Sequence, residues 1–112
     1  MNNKRQIQIA GQIKEELANI IMIKFNGLVP GRMVTVTNVT VTADLSIAKV
    51  WLSIFPSDDA NKIVEEINKV KSKIRFELGQ ALKNNLRKIP ELIFYLDDSL
   101  DYIEKIDKLL KS

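Results

Sequence analysis

Apolar side chains recur along the first part of the chain at Ile9, Ile13, Leu17, Ile20, Ile21 and Phe25. Steps of three and four put them on one face of a helix. The pattern predicts a helix from about Arg5 to Phe25, stopped by Asn26-Gly27. A loop follows at Leu28-Val29-Pro30-Gly31, where glycine and proline supply backbone angles that a helix does not use. Valine and threonine then dominate Val34 to Val41, and both are stiff at the first side-chain torsion and suit a pleated strand. The alternation changes phase between Val36 and Val39, which predicts a bulge near Thr37-Asn38. Beyond Ala43-Asp44-Leu45-Ser46, the segment Ile47 to Phe55 places Ala48, Val50, Leu52 and Ile54 on one face and Lys49, Trp51 and Ser53 on the other. The two strands read as a hairpin.

Pro56-Ser57-Asp58-Asp59 ends the hairpin and offers helix-capping oxygens. Ile63, Ile67, Val70, Ile74, Leu78, Ala81, Leu82 and Leu86 then keep one apolar stripe. A straight helix from Asp59 to Leu86 would reach about 42 Å, whereas a globule of this length has a diameter near ~34 Å. The helix must therefore bend, and the place predicted is Lys71-Ser72-Lys73, where a serine can bond back to the preceding turn and lysines crowd. Pro90 forces an exit into a third strand, Leu92 to Leu96. Asp98 with Asp101 resembles a capping box for a last helix bearing Leu100, Ile103, Ile106 and Leu110. The order α-β-β-α-α-β-α predicts an α+β fold in a single domain spanning residues 1–112.

Composition narrows the chemistry. With 46% hydrophobic and 28% charged residues the chain has the makeup of an ordinary globule. It has no cysteine and no histidine, which removes disulfides, thiolate sites, the commonest general base and the imidazole metal ligand. Asp58-Asp59, Glu65-Glu66 and Asp97-Asp98 are adjacent in sequence and point in different directions, so they suit caps and surface charge better than acid/base catalysis or a metal cage. No glycine loop that would cradle a phosphate is present. The expectation is a protein that is not an enzyme and takes no cofactor, metal or small-molecule substrate. The start lacks an apolar core of signal-peptide length, and apolar runs fall far short of the roughly 20 residues that span a bilayer. A cytoplasmic, monomeric protein with no membrane partner is expected.

Charge is distributed unevenly. Lys71 to Pro90 holds six basic residues (Lys71, Lys73, Arg75, Lys83, Arg87, Lys88) against one acid, Glu77, in a chain whose net charge is only +3. Glu91 to Ser112 carries six acids against three lysines. Such polarity suits one surface facing a polyanion and an acidic part turned away from it. On charge alone, the basic tract is either a phosphate-binding surface or a solvated helix face. Lys4, Arg5, Lys24 and Arg32 are candidates to extend it, and Ser72 lies within the expected bend at Val70, Lys71 and Ser72. Trp51, beside Lys49, lies in the strand phase opposite the apolar face. Stacking on an unpaired base is one reading, and burial of the ring under the first or last helix is the favoured one. Asn38, Asn84 and Asn85 fit turns and helix ends better than base readout.

Three segments in order carry a family resemblance: Ala43-Asp44-Leu45-Ser46-Ile47-Ala48-Lys49-Val50, Ile74-Arg75-Phe76-Glu77-Leu78-Gly79, and Ile89-Pro90-Glu91-Leu92 with Asp97-Asp98-Ser99-Leu100. With the element order, they make the chain resemble ribosome-binding factor A from about Arg5 to Leu110. The resemblance implies a K-homology domain of the bacterial type with a C-terminal helix. Members of that fold grip single-stranded nucleic acid with a Gly-x-x-Gly loop. The glycines here are Gly11, Gly27, Gly31 and Gly79, and none makes that loop. The family instead uses a kinked Ala-x-Gly sequence, at whose place this chain has Val70-Lys71-Ser72. The implied function is a small-subunit assembly factor that binds immature ribosomal RNA and assists late maturation and rRNA processing. A general single-stranded nucleic-acid binder and a protein-interaction module with an acidic partner are the alternatives.

Overall fold

The computed structural model describes residues 4–97. They form α1 (Lys4–Lys24), a short 3-10 turn (Asn26–Leu28), β1 (Met33–Val41), β2 (Ile47–Phe55), α2 (Ala60–Lys69), α3 (Lys71–Leu82) and β3 (Glu91–Leu96). The last helix expected from Asp98 onward lies outside the described residues. The three strands lie in the order β1-β2-β3. β1 and β2 form the antiparallel hairpin, and the register slips between Val36 and Asn38, so the bulge falls at Thr37 as the phase change predicts. β3 runs parallel to β2. A parallel pair needs a long crossover, and α2 and α3 supply it.

One face of the sheet carries the core. Val34, Val36, Val39 and Val41 from β1, Ala48, Val50, Leu52 and Ile54 from β2, and Leu92 and Phe94 from β3 are all buried. They form one cluster with Ile9, Ile13, Leu17, Ile20 and Ile21 of α1, Ile63, Val64 and Ile67 of α2, and Ile74, Leu78 and Leu82 of α3. The helices therefore stack on one side, and among the described residues no helix covers the other. The strand alternation is the cause, because it places the buried aliphatic residues of all three strands on one face.

The crossover helix breaks where its length requires. Val70 leaves helical geometry at φ −111° and ψ 18°. Its amide bonds to the Ile67 carbonyl at 3.1 Å, while its own carbonyl accepts from Lys73 and Ile74 at 2.9 and 3.1 Å. One residue thus ends α2 and starts α3, immediately before Lys71-Ser72-Lys73. Two expectations are corrected. First, α3 stops at Leu82 and does not continue to Leu86. The amides of Asn85 and Leu86 turn back onto the Leu82 carbonyl at 2.8 and 2.9 Å, so Lys83, Arg87 and Lys88 lie in a loop. Asn84-Asn85 favours a turn over helix, and Leu86 still packs on the core without being helical. Second, Asp59 takes the N-cap position of α2 at φ 58° and makes no side-chain capping bond. Its carbonyl accepts from Ile63 and the Ser57 carbonyl accepts from Ala60, both at 3.0 Å.

Two polar side chains fix how helices meet strands. Gln6 is buried, and its Nε2 donates to the Val41 carbonyl at 2.8 Å, anchoring the start of α1 at the hairpin-turn end of the sheet. Asn68 of α2 donates to the Phe94 carbonyl and accepts from the Phe94 amide, both at 2.9 Å. That pair satisfies the outer edge of β3, which would otherwise offer free strand groups. Replacing Asn68 by alanine removes both bonds, and we expect about 1–3 kcal/mol of lost stability in urea unfolding. An unchanged midpoint and slope would show that water serves the edge equally well.

The hairpin turn is held by a compact polar knot. Asp44 accepts from the Ser46 hydroxyl at 2.7 Å, the Thr42 hydroxyl at 2.8 Å and the Ser46 amide at 3.1 Å. Those bonds, the Ser46 hydroxyl foremost, hold its carboxyl at about 2, below the ordinary 3.8. A depressed carboxyl stabilises the fold fully above its unfolded value and loses that contribution as pH falls through the folded value. The stability gap between the parent and Asp44→Asn should therefore be constant near neutrality and close between about pH 4 and pH 2. A gap independent of pH across that window would show that the knot acts through shape alone.

Candidate nucleic-acid interface

The sheet has two ends, and the basic residues divide between them. At the hairpin-turn end, Gln6 holds the start of α1 against Val41, and the Glu91 amide bonds to the Ser46 carbonyl at 2.9 Å, placing the start of β3 there too. Lys71, Ser72 and Arg75 of α3 line a small cavity of about 30 Å³ together with Glu91 and Leu92. The α2–α3 junction, the first turn of α1 and the entry to β3 therefore share one end of the molecule. Lys4, Arg5, Lys71, Ser72 and Lys73 are all exposed. The N-terminus of α3 adds the positive end of its helix dipole to Lys71 and Lys73.

The loop after α3 returns toward the same end. Arg75 donates from Nε and Nη2 to the Ile89 carbonyl at 3.1 and 2.7 Å. The side chain of Ile89 lies against Gly79, where an added β-carbon would meet it at 3.6 Å. The fork draws the segment carrying exposed Arg87 and Lys88 back along α3, beside the turn that bears Lys71 and Lys73. Lys83 is exposed at the opposite end of this loop, directly after α3. Arg75 thus acts first as a brace, fixing where its basic neighbours lie.

Other candidates are drawn elsewhere. Arg32 donates to the Pro56 carbonyl at 2.5 Å. It precedes Met33, which pairs with Phe55 at the far end of the hairpin, roughly 26 Å from the turn for a strand of this length. Lys24 ends α1 at that far end and pairs with Glu77. The only acid of the basic tract is thereby turned toward α1. Asn84 and Asn85 lie in the turn after α3, and Asn38 sits exposed beside the bulge.

Trp51 corrects the favoured reading for that residue in part. It projects to the side of the sheet that α1 does not occupy, and it is half-buried, stacked on Tyr95 with ring centroids 5.3 Å apart and planes at 25°. The first helix therefore does not cover it, and the last helix lies outside the described residues. Tyr95 escaped the sequence reading, although its phase, opposite to Leu92 and Phe94, carried the signal. Among the described residues no cluster of three or more acidic side chains is placed to hold a metal ion, and no helix is long and apolar enough to cross a membrane.

Helices on one face of a β1-β2-β3 sheet, the antiparallel hairpin, the parallel third strand and the broken crossover helix define a K-homology-type α+β domain without a Gly-x-x-Gly loop. Residues 5–110 match the family model for ribosome-binding factor A. The chain is 44% identical over 109 residues to ribosome-binding factor A of Christiangramia forsetii, covering 96% of this chain and 82% of that one. It is also 44% identical to the Flavobacterium psychrophilum protein, covering 98% and 85%. The chain belongs to the ribosome-binding factor A family. The crystal structure of ribosome-binding factor A from Thermus thermophilus superposes with a TM-score of 0.67 at 19% identity, over 81% of this chain and 94% of that one. Coordinates of the Thermus thermophilus factor fitted into a cryo-EM map of a complex with 30S give a TM-score of 0.63 at 20% identity, over 80% and 91%.

If Arg75 braces the return loop, Arg75→Ala should raise the rate of limited trypsin cleavage after Lys83, Arg87 and Lys88 severalfold with the helical signal retained. An unaltered cleavage pattern would assign the fork no hold on the loop.

Proposed function

We propose that this chain is a non-enzymatic assembly factor that binds the immature small ribosomal subunit through its ribosomal RNA, assists late maturation and rRNA processing, and leaves before translation. It acts as a cytoplasmic monomer without cofactor, membrane or small-molecule substrate. Family membership supports the ribosomal role, and so does the map of the Thermus thermophilus factor with 30S. The observation that carries the assignment of the surface is the gathering of Lys4, Arg5, Lys71, Ser72, Lys73, Arg87 and Lys88 toward the hairpin-turn end.

The mechanism is electrostatic docking. Lysines and arginines displace counterions condensed on the RNA backbone, so affinity comes from entropy of release and weakens steeply with salt. The broken helix at Val70, Lys71 and Ser72 presents its first turn at the place where a K-homology domain meets a single strand, and Lys83, Arg87 and Lys88 extend the contact along the return loop. Arg75 contributes mainly by holding that loop. Arg32 stands apart from the others and contributes least.

Substituting glutamate at Lys83, Arg87 and Lys88 together should abolish co-sedimentation with small subunits at physiological salt. Arg32→Glu should bind nearly as the parent does. Normal binding by the triple variant would sink the surface assignment. Equal affinity of the parent for ribosomal and unrelated single strands would favour a general nucleic-acid binder, and an absence of any RNA affinity would favour a protein-interaction module.

A further inference from the structure

The helix-free face of the sheet is not an ordinary solvated surface. Along its strands it presents Lys49, the stacked Trp51 and Tyr95, and Ile93. Ser53 projects to the same side and is nevertheless only 9% exposed. An aromatic pair amid other apolar side chains favours cover over open water. Asp97, the last described residue, turns its side chain to that face. Its amide extends the parallel ladder to the Leu52 carbonyl at 2.7 Å, and its carboxylate then accepts from the Thr37 hydroxyl on β1 at 2.6 Å.

β2 lies between β3 and β1, so the Asp97 side chain reaches across β2 while its backbone stays in the ladder with β2. Val36 and Leu52 fill the core side at that level, both buried under the helices. The crossing therefore runs over the helix-free side. The Asp97 side chain, at the end of the described residues, therefore lies on the face that bears Trp51 and Tyr95. The segment that follows has Leu100, Ile103, Ile106 and Leu110 at spacings of three and four, with Asp101, Glu104 and Asp107 between them.

We infer that residues 98–112 dock on the helix-free face of the sheet, laying Leu100, Ile103, Ile106 and Leu110 over the Trp51–Tyr95 pair. The dimensions agree. A helix of 15 residues spans about 22 Å, and β2 from Leu52 back to Ile47 spans about 17 Å. Lys49 is the basic group on this stretch of the face, and Asp101, Glu104 and Asp107 supply acids opposite it. Docking there also keeps the acidic end of the chain off the basic hairpin-turn end. This surface and its occupant are independent of which polyanion the basic end binds.

Trp51 is the only tryptophan, so it reports on its own cover. In the full chain, Ile103→Asp with Ile106→Asp should raise the acrylamide quenching constant of Trp51 severalfold and shift its emission to longer wavelength, with the far-ultraviolet strand signal retained. Quenching equal to the parent's would overturn the inference. A second measurement is insensitive to folding defects in that variant. The chain lacks cysteine, so a nitroxide attached at Lys108→Cys in the otherwise unchanged protein should broaden the single indole N–H resonance. A sharp resonance would overturn the docking. So would an indole that is freely quenched in the parent and becomes protected only when a single-stranded RNA is added, because RNA would then be the occupant.

Discussion

The parallel pairing of β3 with β2 is the constraint from which the rest of the architecture follows. A chain leaving β2 at Phe55 stands at the far end of the sheet, and a parallel third strand has to begin at the hairpin-turn end. Some segment must carry it back, and the core admits only segments with one apolar face. A straight helix with the whole stripe would overshoot the sheet, whose nine-residue strands span about 26 Å. The break at Val70 resolves this by letting α2 and α3 both bury their stripes against one sheet, and a loop completes the return. Both the break and the end of that loop are therefore brought to the start of β3. The basic end of the molecule is a consequence of strand topology.

That logic explains why much of the fold was legible in the sequence. The core face of β1 and β2, the slip at Thr37 and the stripe of α1 each come from a period that burial enforces, so pattern and structure agree residue by residue. The end of α3 was illegible for the opposite reason. Leu86 keeps the helical phase and packs on the core, yet it does so from a turn, because an apolar residue can find the core without continuing the helix that pointed to it. The expected capping oxygens before α2 include none from the N-cap side chain, because Asp59 takes a left-handed backbone and makes no side-chain capping bond.

The candidate site was legible as charge and hidden as geometry. Composition marks Lys71 to Lys88 as basic, but nothing in composition separates Lys71, which faces outward, from Arg75, whose guanidinium is spent on the Ile89 carbonyl. Arg32 and Lys24 look like extensions of the tract and are instead bound at the far end by Pro56 and Glu77. Asn68 gave no signal at all, since an amide that closes a strand edge has the same letter as one in any helix. Long polar side chains choose partners by tertiary proximity, and a one-dimensional pattern holds no record of that choice.

The two faces of the sheet also divide the physical tasks. The core face fixes three helices and is saturated with apolar contact, so it leaves no freedom to respond to a partner. The charged end is solvated, so interactions of its lysines are screened by salt. The helix-free face stands between these extremes, with a half-buried Trp51 stacked on an exposed Tyr95 and a polar bond between Asp97 and Thr37 across β2. The Asp97–Thr37 bond ties the end of β3 to β1 on that same face.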